Sequence, residues 1–287
     1  MPGPRLIEAY HAGLVAASRS AMLELALSLG GYRDAIVLVG GWAPCLLIER
    51  YGKGDFQHVG SIDIDLAVDP DRVGPADYAT IVGLLERRGY SIRHSRDGRP
   101  IPFSFERPVP SPFDGQSHNI SVDLLTSGPI EGSARRHRRV QPDLPARVAK
   151  GCALAFRHNT VVELSGTLPS DGEARCPMRM LDITGCIAMK GIVLGERYAE
   201  KDAYDVFSVI DHCLDGPTSV AAEVRPHLDD IDVATGIDVI RGKFRDIGAE
   251  GPSWVAGFVV HGDSMARDRT AAEVYVKVRR FLDALIQ

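Results

Sequence analysis

The sequence predicts an α+β protein with a strand-bearing front half and a helical back half. Short apolar runs of period two, bounded by glycine and proline, lie before Pro177. After Pro177 the apolar residues recur at three- and four-residue steps. The change falls near residues 170–178, so the 287 residues divide into an expected core of 1–172 and a second, helical domain of 173–287.

Each element follows from local spacing. Leu6, Ile7, Tyr10, Leu14, Ala17, Ala21, Met22, Leu25 and Leu29 form a helical stripe, and Gly30-Gly31 stops it. Residues 35–39 are an apolar run ending at Gly40-Gly41, a strand entering a tight turn, and 42–51 have helical spacing. Residues 61–68 alternate strictly, placing Ile62, Ile64 and Leu66 on one face and Asp63 and Asp65 on the other. Residues 75–88 read as a helix capped by Gly89. From Tyr90 the runs are short and broken by Pro100, Pro102, Pro108, Pro110 and Pro112. Residues 119–125 form a strand with Ile120, Val122 and Leu124 opposite Asp123. Residues 153–156 and 161–164 read as a hairpin turning at His158-Asn159. Helices are expected over 180–194, 198–213, 220–228 and 238–247. A last helix carries the stripe Ala271, Val274, Tyr275, Val278, Phe281, Leu282 and Leu285, with Thr270 and Glu273 at capping-box spacing.

Composition narrows the function classes. Hydrophobic residues make up 45% and charged residues 25%, which excludes disordered and fibrous chains. A net charge of −5 argues against a general nucleic-acid coat but leaves room for a local contact and for an acidic metal site. Cys45, Cys152, Cys176, Cys186 and Cys213 are scattered and form no CxxC pair, so they read as small apolar fillers in a reducing compartment. Glu8, His11, Ser18 and Arg19 interrupt any leader-like start, and the apolar stretch 35–48 falls short of the roughly 18 residues that span a bilayer. A cytoplasmic protein with no membrane partner is expected.

Three front-half features carry chemistry together. Glycines at 40 and 41 let backbone N–H groups approach a phosphate closely. Asp63 and Asp65 project from one strand face roughly 6–7 Å apart at Cα, a spacing suited to hard divalent cations. Asp123 supplies a third carboxylate from a later strand, enough for a two-metal site. Each also has a plainer reading, as a simple turn or a solvent-facing strand. In the back half, Lys190, Leu194, Arg197 and Lys201 share a face if one helix is continuous, and Gly195 makes a break equally plausible. Lys201 and Asp205 also read as a surface ion pair. The run Arg135-Arg136-His137-Arg138-Arg139 reads as a loop, either solvated or gripping an RNA backbone. Trp42 and Tyr204 suit base stacking or a core position, and His118 precedes the Asp123 strand.

Gly40-Gly41, Asp63-x-Asp65 and Asp123 resemble the pattern of the DNA polymerase β-like nucleotidyltransferase superfamily. Met189-Lys190, Arg197 and Glu200-Lys201-Asp202-Ala203-Tyr204-Asp205 look like the signature of AbiEii/AbiGii-type nucleotidyl transferase toxin-like proteins. Lys201 stands where many of those carry arginine, and Ser61 replaces the commoner threonine or lysine before the aspartate pair. The resemblance runs roughly from the first strand to residue 211.

It implies a nucleotidyltransferase-type mixed β-sheet core with flanking helices, followed by a helical C-terminal domain. It also implies transfer of a nucleoside monophosphate from an NTP to an RNA (tRNA) or protein acceptor. Mg2+, or Mn2+ in its place, is the implied cofactor, and an antitoxin protein the implied partner of a toxin. Gly40 and Gly41 would cradle the β/γ phosphates. Asp63 and Asp65 would bind metal, and Asp123 would bind metal or act as base. Lys190 would meet the triphosphate, with Asp202 or Asp205 positioning it or the acceptor. Ser61, Arg197 and Lys201 complete the nucleotide-binding set. Two alternatives remain: a small-molecule, aminoglycoside-type nucleotidyltransferase, and a non-catalytic nucleotide-binding regulator.

Overall fold

The computed structural model describes residues 6–73, 79–128, 137–198 and 200–286. Among them the protein is mixed α/β, with ten α-helices and a nine-stranded mixed sheet. The chain divides into two compact units. One joins His11–Trp42 to Gly60–Leu181, and the other joins Met1–Tyr10, Ala43–Val59 and Asp182–Gln287.

The first unit holds the whole sheet. Its strands are β1 (Ile36–Val39), β2 (Asp63–Val68), β3 (Ser91–His94), β4 (Pro100–Pro110), β5 (Ser117–Thr126), β6 (His137–Gln141), β7 (Leu144–Val148), β8 (Asn159–Thr167) and β9 (Glu173–Leu181). They run in the order β3-β4-β5-β2-β1-β9-β8, with β7 paired to β5 and β6 to β7. Both hands of pairing occur: β1 is antiparallel to β2 and parallel to β9, while β2 is parallel to β5. Alternation in β2 and β5 sends Ile64, Leu66, Val122 and Leu124 to one face, where each is at most 1% exposed. Helix α1 (Ala12–Ser28) supplies their cover. Its Met22, Leu25 and Ala26 line one small cavity with Ile36, Ile64 and Leu66. Two shorter helices, α3 (Ile81–Arg87) and α4 (Leu154–Arg157), complete this unit.

The second unit contains α5 (Ile183–Glu196), α6 (Glu200–His212), α7 (Pro217–Val224), α8 (Ile231–Lys243), α9 (Glu250–Val259) and α10 (Ser264–Ala284). Helix α2 (Trp42–Tyr51) falls with it from Ala43 onward. Asp182 caps α5 by accepting from Gly185 N at 2.8 Å, which settles one orphan N–H of the first turn.

Several local expectations change. Residues 154–157 are α4, not a hairpin arm, because His158 N closes a helical turn on Leu154 O at 2.7 Å. Strand β8 pairs instead with β9, from Asn159↔Leu181 to Thr167↔Glu173. The strand signal therefore continues past Pro177 to Leu181, and α5 begins at Ile183 rather than 180. Prolines do not break β4: Pro108 and Pro110 lie beyond the stretch that β3 covers, so their missing N–H leaves no β3 carbonyl unpaired. Helix α10 is capped by Asp263, accepting from Ala266 N, and Thr270 lies inside it. Helix α9 had no counterpart among the expected elements. Of the helix expected over 75–88, residues 75–78 lie outside the described residues, and α3 starts after its N-cap Thr80. Arg135 and Arg136 also lie outside them, while His137, Arg138 and Arg139 form strand β6 rather than a loop. All five cysteines are buried free thiols.

Candidate functional site

In the sheet unit, β2 and β5 run parallel with Asp63 opposite Ser121 and Asp65 opposite Asp123. Register partners on neighbouring strands share a face and sit roughly 4.8 Å apart. Asp63, Asp65, Ser121 and Asp123 therefore occupy one patch, on the face opposite Ile64 and Val122. The three aspartates are half-buried and Ser121 is buried. Strand β4 adds Ser104 to the patch as the partner of Asp123.

Side-chain contacts tie this patch together. Ser121 Oγ donates to Asp63 Oδ1 at 2.7 Å, and Ser104 Oγ donates to Asp123 Oδ1 at 2.5 Å. Ser61 Oγ donates to the Asp63 carbonyl at 3.1 Å, so it braces the start of β2. Gly40 closes the patch from the end of β1. Its φ of +67° suits glycine, and a Cβ there would fall 2.0 Å from Asp65 Oδ2. Gly41 follows, and α2 starts at Trp42. Trp42 itself is core: it is 1% exposed and its Nε1 donates to Ser18 Oγ.

The donor set is all oxygen, carboxylate and hydroxyl, which is what hard divalent cations prefer. Among the described residues, no three His, Cys, Asp or Glu side chains already gather into a group that could hold a metal ion. The fit to Mg2+ thus rests on donor type and on three carboxylates at neighbouring backbone positions.

A second polar cluster lies within the helical unit. Lys190 of α5 donates through Nζ to Asp202 Oδ1 at 2.7 Å and to Asp205 Oδ2 at 2.6 Å, both on α6. Asp202 also accepts from Arg197, at 2.9 Å from Nη2, and Asp205 from Lys201. His58 adds a contact between Nε2 and Asp205 Oδ1 at 3.0 Å. Asp205 is fully buried, so its pair with Lys201 is no surface bridge. Arg197 ends α5 with extended backbone, which places the helix break there and not at Gly195.

The charges perturb one another strongly. Burial pushes the Asp205 carboxyl up, but the ammonium groups of Lys190 and Lys201 overcome it and hold the pKa well below the usual range. Asp202 is lowered the same way, by Lys190 and Arg197 against burial. Burial lowers Lys190, and the two carboxylates more than reverse this, so it stays charged. Lys201 is lowered, first by burial, with Lys190 adding repulsion. His58 falls to about 4, chiefly by burial and then by the nearby Lys201 charge.

No protein-family model and no curated protein matches this chain.

The structure thus brings Gly40, Asp63, Asp65 and Asp123 together, and separately Lys190, Arg197, Lys201, Asp202 and Asp205. Tyr204 is buried, with its hydroxyl accepting from Val59 N at 3.3 Å, and His118 pairs with Asp114 at 3.5 Å. Sequence reasoning missed Ser104, Ser121 and His58. Ser121 was within reach, since it precedes Asp123 by two on the same strand. His58 lies 147 residues from Asp205 and carries no local signal.

Proposed function

We propose that this chain is a metal-dependent nucleotidyltransferase of the AbiEii/AbiGii type, moving a nucleoside monophosphate from an NTP to an acceptor. The observation that carries the reading is Asp65 in register with Asp123 on parallel strands, with Asp63 on the same face and Gly40 against Asp65. In this reading Asp63, Asp65 and Asp123 hold magnesium, which when bound activates the acceptor hydroxyl and offsets charge on the leaving pyrophosphate. Gly40 and Gly41 present backbone N–H groups to the phosphates. Asp123, if not a ligand, takes the proton of the attacking acceptor hydroxyl. Of Lys190, Arg197 and Lys201, Arg197 has the most exposed side chain, at 62%, and it pairs with Asp202. Lys190 serves the fold first, holding Asp202 and Asp205. RNA is the favoured acceptor because β6 carries His137, Arg138 and Arg139, with Arg147 of β7 opposite His137.

The test is incubation of the full chain with each α-labelled NTP, Mg2+ and total tRNA. Label should pass to RNA from at least one NTP and fail in Asp63→Ala/Asp65→Ala. No transfer by wild type, or equal transfer by the double variant, would sink the reading. Label on an added aminoglycoside or protein instead would move the acceptor class and leave the chemistry standing. Tight NTP binding with no pyrophosphate release would make this a regulatory binder.

A further inference from the structure

We infer that Ser104 and Ser121 are positioning residues that set the cation affinity of the carboxylate patch, an inference that rests on the metal-binding reading above. Each serine is buried, at 1% and 8% exposure, and each donates its hydroxyl proton to one oxygen of a different aspartate. An ionised carboxylate only accepts hydrogen bonds, so a fixed hydroxyl donor selects one orientation of its plane. Ser121 does this for Asp63 from the neighbouring strand β5, and Ser104 does it for Asp123 from β4. The serines are themselves held in the ladder: Ser121 stands opposite Asp63 on one side and Glu106 on the other. Ser104 stands opposite Asp123 itself.

The two outer carboxylates are thereby oriented from strands other than their own, while Gly40 closes the central one from β1. A carboxylate whose rotamer is chosen before the ion arrives loses less freedom on binding. Partners hydrogen-bonded to ligating carboxylates typically change metal affinity about 10–100-fold when removed. Neither serine touches the reacting atoms in this scheme; both act through the aspartates.

Mn2+ binding to the full chain without nucleotide, followed by calorimetry or electron paramagnetic resonance, separates the possibilities. Ser104→Ala and Ser121→Ala should each weaken Mn2+ about 10–100-fold. Ser104→Thr and Ser121→Thr, which keep the hydroxyl, should restore most of the affinity. If an alanine variant loses its cooperative unfolding transition, the near-isosteric Ser→Cys variant takes its place, and its weak S–H donor should give an intermediate loss. Alanine and cysteine variants that bind Mn2+ as wild type does, while Asp65→Asn binds it poorly, would overturn the positioning role and leave the metal site intact. Absence of Mn2+ binding in wild type, or equal binding by Asp65→Asn, would overturn the metal site and this inference with it.

Discussion

A Cβ on Gly40 would lie 2.0 Å from Oδ2 of Asp65 and 2.9 Å from its Cβ. Asp65 is a short side chain on a paired strand, so it has no long flexible stem with which to retreat. Gly40 also has φ +67°, where an L side chain costs about 1–2 kcal/mol. Gly40→Ala should therefore lower stability by at least that amount and turn the Asp65 carboxylate out of the patch. Thermal unfolding and Mn2+ titration of this variant check both parts. Unchanged Mn2+ affinity would mean that Asp65 does not need its present orientation.

Lys190 and Arg197 both pair with Asp202, but their surroundings predict different losses. Lys190→Met removes the cation that two buried carboxylates share, leaving Asp202 with Arg197 and Asp205 with Lys201 and His58, and breaking a buried pair costs about 3–5 kcal/mol. Arg197 is largely exposed, so Arg197→Ala should cost about 1 kcal/mol or less. Urea unfolding should rank the two in that order, and equal losses would contradict the burial argument.

His58 makes stability pH-dependent. Its pKa drops from 6.5 to about 4 on folding, because burial and Lys201 disfavour the imidazolium. Between those values the unfolded chain binds a proton that the folded chain does not, so stability falls as pH drops from 6.5 toward 4. On the order of 1–2 kcal/mol should separate pH 7 from pH 5. Asp205 acts in a lower window. Its folded pKa is depressed, so its contribution is complete above the ordinary value of 3.8 and is lost only on further acidification. Urea midpoints of wild type and His58→Gln at both pH values give the measurement. The same slope in both proteins would remove His58 from the account.

Helices α5 and α8 meet backbone to backbone. A Cβ on Gly236 would stand 2.3 Å from Ala188 O, and one on Gly191 would stand 2.3 Å from Gly236 O. Gly236→Ala should cost about 1–3 kcal/mol through overpacking. Gly242 lies on the same helix with nothing within 4 Å of its Cβ position, so Gly242→Ala should stabilise by about 0.5–1 kcal/mol. Denaturant midpoints that move in the same direction would refute this reading of the crossing.

Period-two alternation in residues 61–68 and 119–125 is a property of adjacent residues, and it correctly put the aspartates opposite the apolar faces of β2 and β5. The glycine turn after β1 was equally legible, because no other residue takes that φ so freely. Spacing was a poorer guide at 154–157, where four apolar and basic residues suit a strand or a helical turn. Packing of Leu154 and Ala155 into the core decides for the turn. The same holds at Asp263, which outcompetes Thr270 as the cap of α10 because the helix starts at Ser264, seven residues before the apolar stripe begins at Ala271.

Residue types and their local period were thus enough to place Asp63, Asp65 and Asp123 on the strand faces opposite the apolar residues, whereas the shared helical face of Lys190, Arg197 and Lys201 ends where α5 stops before Arg197. Register was beyond that reach. Asp65 meets Asp123, Ser104 meets Asp123 and His58 meets Asp205 across 58, 19 and 147 residues respectively. Nothing within one turn or one pleat encodes such pairs. They arise when strands β2, β4 and β5 pair, and when α6 buries Asp205. Desolvation then makes each polar group find a partner. Burial also turns Lys201 and Asp205 from an apparent surface pair into the centre of a buried network; burial first, and then the Lys201 charge, lowers His58 to about 4 against the opposing pull of Asp205.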